Sequence, residues 1–214
     1  MDSQPVAVSA PVTTASLRAW LGASLNALEY SREAIDSLNV FPIADGDTGT
    51  NMFLTVEACY EAISALPDTA SLAEASGVVA EAAIWGARGN SGVILAEILR
   101  GIVDSFLDTT DGASLSIETV HTALANASTR AYSAVSRPVE GTILTVARVA
   151  AEAASVPPSA RDDRSLLRHL LSISSHMHDA LARTTDQLLA LRNADVVDAG
   201  AQGLVVVYDA LIDV

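Results

Sequence analysis

The chain of 214 residues contains no lysine, and all 12 of its basic residues are arginines. Several ways of handling phosphate need an ammonium group: the phosphate loop that ends in Gly-Lys-Ser/Thr, the Schiff-base lysine and the strand lysine of protein kinases. The composition excludes all three. If this protein binds phosphates, another group must supply the compensating positive charge.

Cysteine is almost as scarce, because Cys59 is the single example and an internal disulfide is therefore impossible. We expect a reducing, cytoplasmic environment. No apolar run is long enough to span a bilayer. The first residues carry Asp2 and two prolines without a basic stretch, which argues against a signal peptide. They predict a disordered tail over residues 1–14 and one domain over residues 15–214.

Positive charge of any kind is in short supply, since 26 acidic residues give a formal net charge of −14. Nucleic acids and anionic membranes bind to basic surfaces that displace counterions, so neither is an expected partner. Half of the residues are apolar, which is enough for a substantial core. The sequence therefore predicts a globular protein without a transmembrane segment.

Runs of β-branched residues with alternating polarity are nearly absent, whereas apolar residues recur at three- and four-residue spacing in Ala-rich segments. This pattern predicts an all-α fold. The final segment, GLVVVYDALIDV, is rich enough in β-branched residues for a strand, but its apolar positions fit a buried helix. Trp20 and Trp85 are expected in the core. Eight helices are predicted, at about 15–38, 49–67, 71–86, 90–106, 116–135, 141–156, 163–191 and 201–213.

The connections between these helices are mostly short, so successive helices should lie antiparallel in an up-and-down barrel. Alternate connections then fall at the same end of the molecule. Those at one rim are residues 39–48, 86–90, 136–141 and 192–200. They also contain nearly all the unusual polar sequence in the chain.

The first of these connections, FPIADGDTGTN, places Asp45 and Asp47 one residue apart in a Gly-rich turn. Closely spaced carboxylates on a tightly bending backbone suit a hard cation such as Mg²⁺. The alternative is a structural role, in which Asp47, Thr48 or Thr50 caps the helix that follows. The local sequence leaves both interpretations open.

The other three connections resemble helix starts that could bind an anion. GARGNSG, residues 86–92, would direct free backbone N–H groups and a helix dipole at a phosphate, or would serve only as a tight turn. VEGTILT carries Thr142, and NADVVDAGAQG carries Asp198 and Gly200. Together the four segments would surround one opening with carboxylates and helix N-termini, a coherent site for Mg²⁺ and a nucleotide.

In this order and at these intervals, NVFPIADGDTGTNM, GARGNSG, EGTILTV and VVDAGAQG resemble the nucleotide-binding domain of the dihydroxyacetone kinase L type, also called the Dak2 domain. The resemblance is closer to the N-terminal domain of the bacterial fatty acid kinase A subunit, and it covers about residues 17–211. It implies a barrel of eight antiparallel helices that holds ATP or ADP and two Mg²⁺ ions at one end.

The resemblance also implies roles for individual residues. Asp45 and Asp47 would be metal ligands, with Asn39 where the dihydroxyacetone kinases have a third aspartate. Arg88 would be an additional positive group in catalysis. Thr185 stands near the place of an arginine in the dihydroxyacetone branch, which is a departure from that pattern. The implied nucleotide-binding residues are Thr48, Gly49, Thr50, Asn51, Asn90, Ser91, Gly92, Thr142, Asp198 and Gly200.

The activity that the resemblance implies is transfer of the ATP γ-phosphoryl group to the carboxylate of a fatty acid held by a separate fatty-acid-binding protein. A carboxylate is already nucleophilic at neutral pH, so no general base is needed. The chain would be one domain of a longer kinase, and a homodimer is left open. The alternatives are a dihydroxyacetone kinase-type subunit, a nucleotide-sensing domain without transfer, and a helical interaction module that binds no nucleotide.

Overall fold

The computed structural model describes residues 10–107, 114–158, 162 and 164–214. Within these ranges the chain forms helices and one pair of two-residue strands, β1 (Ala10–Pro11) and β2 (Ser114–Leu115), which pair antiparallel. The helices α1 to α9 are, in order, Thr14–Ser37, Thr48–Ser64, Leu72–Gly86, Gly89–Asp104, Ile117–Ser133, Ile143–Ala154, Ser165–Gln187, Leu189–Ala194 and Ala199–Ile212. None of the helices in these ranges combines the length and the hydropathy that a membrane span needs.

The longer helices form a closed ring around the core. Each helix from α1 to α7 packs against the next one along the chain, α7 packs against α9, and α9 packs against α1. The short helix α8 lies in the connection between α7 and α9 and contacts α7. The predicted all-α barrel of eight main helices is confirmed.

Helix α9 is buried on almost every side, because it contacts α1, α2, α6 and α7. A strand in this position would leave backbone groups unpaired, whereas a helix satisfies its own hydrogen bonds, so the helical interpretation of the last segment is confirmed. The Trp20 indole Nε1 donates to the Val207 carbonyl at 3.0 Å and ties α1 to α9. Trp20 is 5% exposed, as expected of a core residue.

Trp85 is not in the core, contrary to the prediction, and is 77% exposed. The reason lies in the neighbouring Gly86, where a Cβ atom would come within 2.3 Å of the Ala58 Cβ. Gly86 therefore occupies the face of α3 that packs closely on α2. Because residues next to each other in a helix point about 100° apart, Trp85 cannot share that face.

The seventh predicted helix, 163–191, is wrong at its C-terminal end, because the chain breaks at Leu188 into α7 and α8. Residue 163, its predicted start, lies outside the described residues. The break lets the chain return over the last turn of α7. There the Thr185 hydroxyl donates to the Val196 carbonyl at 2.8 Å, and the Thr184 hydroxyl accepts from the Asp198 N–H at 3.0 Å.

The predicted disordered tail also extends too far along the chain. Residues 1–9 lie outside the described part, but Ala10 and Pro11 pair with Leu115 and Ser114. Thr13 then caps α1, since its hydroxyl accepts from the Ser16 N–H at 3.1 Å while the Ser16 hydroxyl accepts from the Thr13 N–H at 2.8 Å. This reciprocal capping box orders the segment that precedes the first helix.

Candidate functional site

Four connections at one end of the ring line a single cavity of about 550 Å³. They are the α1–α2, α3–α4, α5–α6 and α8–α9 connections, which are the four that the alternation of helices predicts at one rim. The volume lies in the range of ligand pockets in proteins. Of the predicted residues, those that line the cavity are Asn39, Asp45, Asp47, Thr48, Asn51, Asn90, Ser91, Thr142, Asp198 and Gly200.

Four predicted residues are absent from the lining: Gly49, Thr50, Arg88 and Gly92. Both glycines are packing positions. A Cβ at Gly49 would lie 2.4 Å from the Arg32 carbonyl oxygen on α1, and one at Gly92 would lie 2.5 Å from the Thr55 hydroxyl on α2. The Gly92 N–H already donates to the Arg88 carbonyl at 2.9 Å. The Gly92 N–H is therefore already used within α4, whereas the phosphate contact predicted for Gly49 stays a prediction.

The cap of α2 comes from the preceding helix. Asp36, near the end of α1, accepts the Thr50 N–H at 3.0 Å and the Thr50 hydroxyl at 2.7 Å. The two hydrogen-bond donors of Thr50, its N–H and its hydroxyl, are thus both used inside the protein. The structure does not support the phosphate contact predicted for Thr50. Asp47 stands at the N-cap position, but its side chain makes no capping hydrogen bond. The capping interpretation of Asp47 is therefore wrong.

Asp45 and Asn39 meet beside Asp47. The Asn39 side-chain N–H₂ donates to Asp45 Oδ1 at 2.6 Å, and Asn39 is only 7% exposed. Gly46 takes a left-handed backbone conformation between the two aspartates, with φ of 66°, which allows the tight turn. In the described ranges no three His, Cys, Asp or Glu side chains form a metal-binding group. The two carboxylates and the Asn39 carbonyl would fill only part of an Mg²⁺ shell, as is usual for sites completed by water and phosphate oxygens.

The start of α4 presents unpaired backbone donors to the cavity. Gly89, Asn90 and Ser91 form its first three positions, and all three line the cavity. The first N–H groups of a helix have no intrahelical acceptor, so these can bind an anion. Thr55 on α2 holds this turn in place, since its hydroxyl accepts from the Arg88 N–H at 3.3 Å and donates to the Asn51 carbonyl at 2.7 Å.

Arg88 does not direct its charge into the cavity. Its guanidinium donates to the carbonyl oxygens of Trp85 and Ala87, at 3.3 and 3.1 Å, at the end of α3. A cation is stabilised there by the negative end of the helix dipole. The expected catalytic role of Arg88 is therefore not supported by its position.

Asp198 joins the starts of two helices. Its Oδ1 accepts the Ala201 N–H of α9 at 2.8 Å and the Ile143 N–H of α6 at 2.9 Å. Asp198 is 5% exposed, and burial raises its pKa to about 6 although the two N–H donors oppose the shift. Thr142 caps α6, because its hydroxyl accepts from the Leu144 N–H at 3.3 Å. That hydroxyl also donates to the Val139 carbonyl at 2.8 Å, which leaves it no free proton for a ligand.

Glu140 fixes the α5–α6 connection from outside the cavity. Its carboxylate accepts from the Tyr132 hydroxyl at 2.6 Å, the Thr145 hydroxyl at 2.7 Å and the Arg148 guanidinium at 3.0 Å. Partial burial alone would raise the pKa of Glu140, but these three donors outweigh it and lower the pKa. We call Tyr132, Glu140, Thr145 and Arg148 the Glu140 clamp.

Four residues that contribute to the site were not identified from the sequence: Asp36, Thr55, Glu140 and Arg137. Arg137 lines the cavity, and it is the single basic side chain in the lining that the described residues provide. A basic residue two positions before the VEGTILT segment is the one sequence signal that could have identified Arg137. Asp36 and Thr55 act through partners on other elements, and no local pattern marks them.

Comparisons with known proteins show that most of the chain is similar to one family. The family model for the DAK2 domain matches residues 42–213. Among curated relatives, protein YloV of Bacillus subtilis is 36% identical over 185 residues, and an uncharacterized protein of Staphylococcus epidermidis is 37% identical over 186 residues. In both cases the match covers 86% of this chain and 32% of the relative. The chain thus spans about a third of the length of these relatives.

Two solved structures share the fold. The dihydroxyacetone kinase of C. freundii in complex with AMP-PNP and Mg²⁺ matches with a TM-score of 0.66 at 18% sequence identity, over 99% of this chain and 36% of that one. The native form of the same kinase matches with a TM-score of 0.60, also at 18% identity, over 100% of this chain and 37% of that one. At this level of identity the similarity establishes the helical fold and does not assign the ligand.

Proposed function

The chain belongs to the DAK2 domain family, and from this premise we propose that it is the ATP-binding domain of a Mg²⁺-dependent kinase that phosphorylates the carboxylate of a fatty acid. The observation that carries the proposal is the state of Asp47. The Asp47 carboxylate makes no capping hydrogen bond, and Asp36 caps α2 instead. Asp47 and Asp45 both line the cavity. In a chain without lysine, free carboxylates in a phosphate site are most readily explained as metal ligands.

The residues that would hold Mg²⁺ are Asp45, Asp47 and the carbonyl oxygen of Asn39. Mg²⁺ held there would neutralise phosphate charge and act as a Lewis acid on the transferred phosphoryl group. The Asn39 N–H₂ group orients Asp45 by donating to one of its oxygens. The other Asp45 oxygen remains available for the metal, as does the whole Asp47 carboxylate. We propose two ions, in keeping with the family resemblance.

The carboxylates of Asp45 and Asp47 and the free N–H groups that line the cavity belong to two neighbouring connections, and this supports one orientation of the nucleotide. Asp45 and Asp47 belong to the α1–α2 connection, and the free N–H groups of α4 lie at the next connection around the ring. Phosphates would lie between them. Apolar side chains of α4, of the α5–α6 connection and of the start of α6 also line the cavity, and the nucleobase would pack against them: Val93, Ile94, Ala134, Val135, Val139 and Leu144.

The proposed acceptor is a fatty acid presented by a separate binding protein. Its carboxylate needs no deprotonation at neutral pH, so the chain has to bind, orient and shield the reactants rather than supply a base. Because the chain covers about a third of its curated relatives, we also propose that further domains of a longer, cytoplasmic kinase complete the reaction. The domain itself would include residues 10–14 as well as 15–214, because Ala10 and Pro11 pair with β2.

Isothermal titration calorimetry tests the metal site. We expect Mg²⁺-dependent binding of ADP and AMP-PNP to the wild type, and a loss of at least about 100-fold in affinity in Asp45→Ala, since even residues behind metal ligands contribute 10- to 100-fold. Asp179→Ala is the matched control, because Asp179 is exposed on α7 and outside the cavity. Equal affinities with and without Mg²⁺, in wild type and Asp45→Ala alike, would refute the metal site.

A dihydroxyacetone kinase-type subunit is the second candidate, favoured by the structural similarity to the C. freundii enzyme. The two differ in the acceptor group, which is a carboxylate in one case and a hydroxyl in the other. Phosphoryl transfer from ATP should be measured with a fatty acid on its binding protein and, separately, with dihydroxyacetone. Acyl phosphate reacts with hydroxylamine, so a hydroxamate formed with the fatty acid alone supports the first proposal. Transfer to dihydroxyacetone alone would reverse the choice.

A further inference from the structure

Arg137 stands alone as a cation at the cavity. No other basic side chain among the described residues lines it, whereas three carboxylates do: Asp45, Asp47 and Asp198. Most arginines in the described ranges are bound to a carboxylate or a carbonyl, as Arg148 is to Glu140 and Glu152. Arg137 has no hydrogen bond or ion pair with any residue that the structure describes, and its side chain is exposed. Its guanidinium is therefore free to bind a ligand.

The position of Arg137 separates it from the proposed metal ligands. The helices follow one another around the ring, so the α1–α2 and α5–α6 connections lie on opposite sides of the opening, with the α3–α4 connection between them. Asp45 and Asp47 belong to the first connection and Arg137 to the second. The carboxylates would hold the metal and the phosphates, and Arg137 lies on the far side from them.

Apolar residues line the cavity on both sides of Arg137 in the sequence. Val135 and Val139 belong to its own connection, which also contributes Ser136, and Val93 and Ile94 of α4 line the same cavity. A planar group such as a purine packs well on such apolar side chains. A guanidinium is also planar and weakly hydrated, and it stacks on aromatic faces.

The backbone that carries Arg137 is held firmly while the side chain is free. The Glu140 clamp joins the connection to α5 through Tyr132 and to α6 through Thr145 and Arg148. The Thr145 hydroxyl also accepts the Gly141 N–H at 2.8 Å. Arg137 thus extends from a fixed support, so little backbone entropy is lost when it contacts a ligand.

We propose that Arg137 stacks its guanidinium on the nucleobase and closes the cavity over it. This inference rests on the proposed nucleotide function. It assigns to Arg137 a contact with the nucleobase and not with the phosphates. The physical basis is one unpaired guanidinium and several apolar side chains in the lining of the same cavity, across the ring from Asp45 and Asp47. Such a contact contributes affinity for any nucleotide with a large aromatic base.

The experiment compares a ligand that has a base with one that lacks it. Binding of ADP and of pyrophosphate, each with Mg²⁺, is measured by calorimetry for the wild type, Arg137→Ala and Arg183→Ala; a weak pyrophosphate affinity is obtained by competition with ADP. Arg183 is exposed on α7 outside the cavity and controls for the loss of one positive charge. Thermal melting of the three proteins verifies that each is folded.

We expect Arg137→Ala to bind ADP about 3- to 30-fold more weakly, the range of a cation–π contact, and to bind pyrophosphate as the wild type does. Arg183→Ala should match the wild type with both ligands. Equal weakening for ADP and pyrophosphate would assign Arg137 to the phosphates and overturn the proposal, as would unchanged ADP binding. Failure of the wild type itself to bind ADP with Mg²⁺ would instead refute the proposed function on which the inference rests.

Discussion

Asp47 and Asp198 occupy the same position at the starts of two helices, yet their carboxylates behave in opposite ways. Asp198 accepts the N–H groups of two helices and is almost fully buried. The Asp47 carboxylate accepts no N–H group of its own helix, and Asp36 from α1 caps that helix instead. The comparison teaches that an N-cap position does not define a function. The role of an N-cap carboxylate depends on whether a side chain from another element already accepts the free N–H groups at the start of the helix.

The largest expected effect comes from Asp47→Ala. We predict a loss of at least about 100-fold in affinity for ADP with Mg²⁺, because a proposed metal ligand is removed. The free energy of unfolding should change by less than about 1 kcal/mol, since no capping hydrogen bond is lost and only the dipole interaction remains. Calorimetry and denaturant unfolding measure the two quantities. Strong destabilisation with intact binding would show that Asp47 is a cap after all.

The second prediction concerns Asp198 and pH. Because burial raises its pKa to about 6, above that of an unfolded chain, its contribution to stability is fully present below about pH 4 and is lost as the pH rises through 6. In Asp198→Asn the side-chain amide oxygen could accept the same N–H groups without a buried charge. We therefore expect the variant to gain stability relative to the wild type between about pH 4 and pH 7, by up to about 3 kcal/mol.

Unfolding of the two proteins across this pH range gives the measurement, and Asp198→Ala serves as the contrast because it removes the acceptor itself. The alanine variant should be destabilised by about 1–2 kcal/mol for each helix whose cap it loses. A constant difference between Asp198→Asn and the wild type across the whole range would contradict the assigned ionisation.

The smallest effect is expected from Asp36→Ala, which completes the comparison. The variant loses the true cap of α2, so the free energy of unfolding should fall by about 1–2 kcal/mol. Thr50→Ala, which leaves Asp36 its bond to the backbone N–H, should cost less. Affinity for ADP with Mg²⁺ should fall by less than in Asp47→Ala, because both proposed ligands remain. If Asp36→Ala abolished binding without loss of stability, Asp36 itself would belong to the metal site.

The fold could be predicted largely from the sequence because apolar periodicity and helix-breaking residues act locally. The predicted fifth helix, for example, begins at Ser116, a residue type that favours the N-cap position, and the Ser116 hydroxyl accepts the Thr119 N–H at 3.1 Å. The break at Leu188 has no such local cause. Leucine is a good helix former, and the chain turns there because Thr184 and Thr185 bind the α8–α9 connection.

The site could be predicted at the level of connections but not of every side chain. Alternation of helices is enough to bring four connections to one rim, and ten of the predicted residues line the cavity. The local sequence does not reveal that Asp36, 14 residues before Thr50, uses both donors of Thr50. Nor does it reveal that Gly49 and Gly92 face neighbouring helices. Such partners depend on packing between distant segments.

The two tryptophans give this protein a pair of built-in optical probes. Trp20 is 5% exposed and hydrogen-bonded to Val207, so its fluorescence comes from the protein interior. That fluorescence should change when the core unfolds. Trp85, at 77% exposure, emits from water, and its carbonyl binds the Arg88 guanidinium directly before the first turn of α4. With Phe at either position, the fluorescence of the remaining indole would follow unfolding and ligand binding separately, without any attached dye.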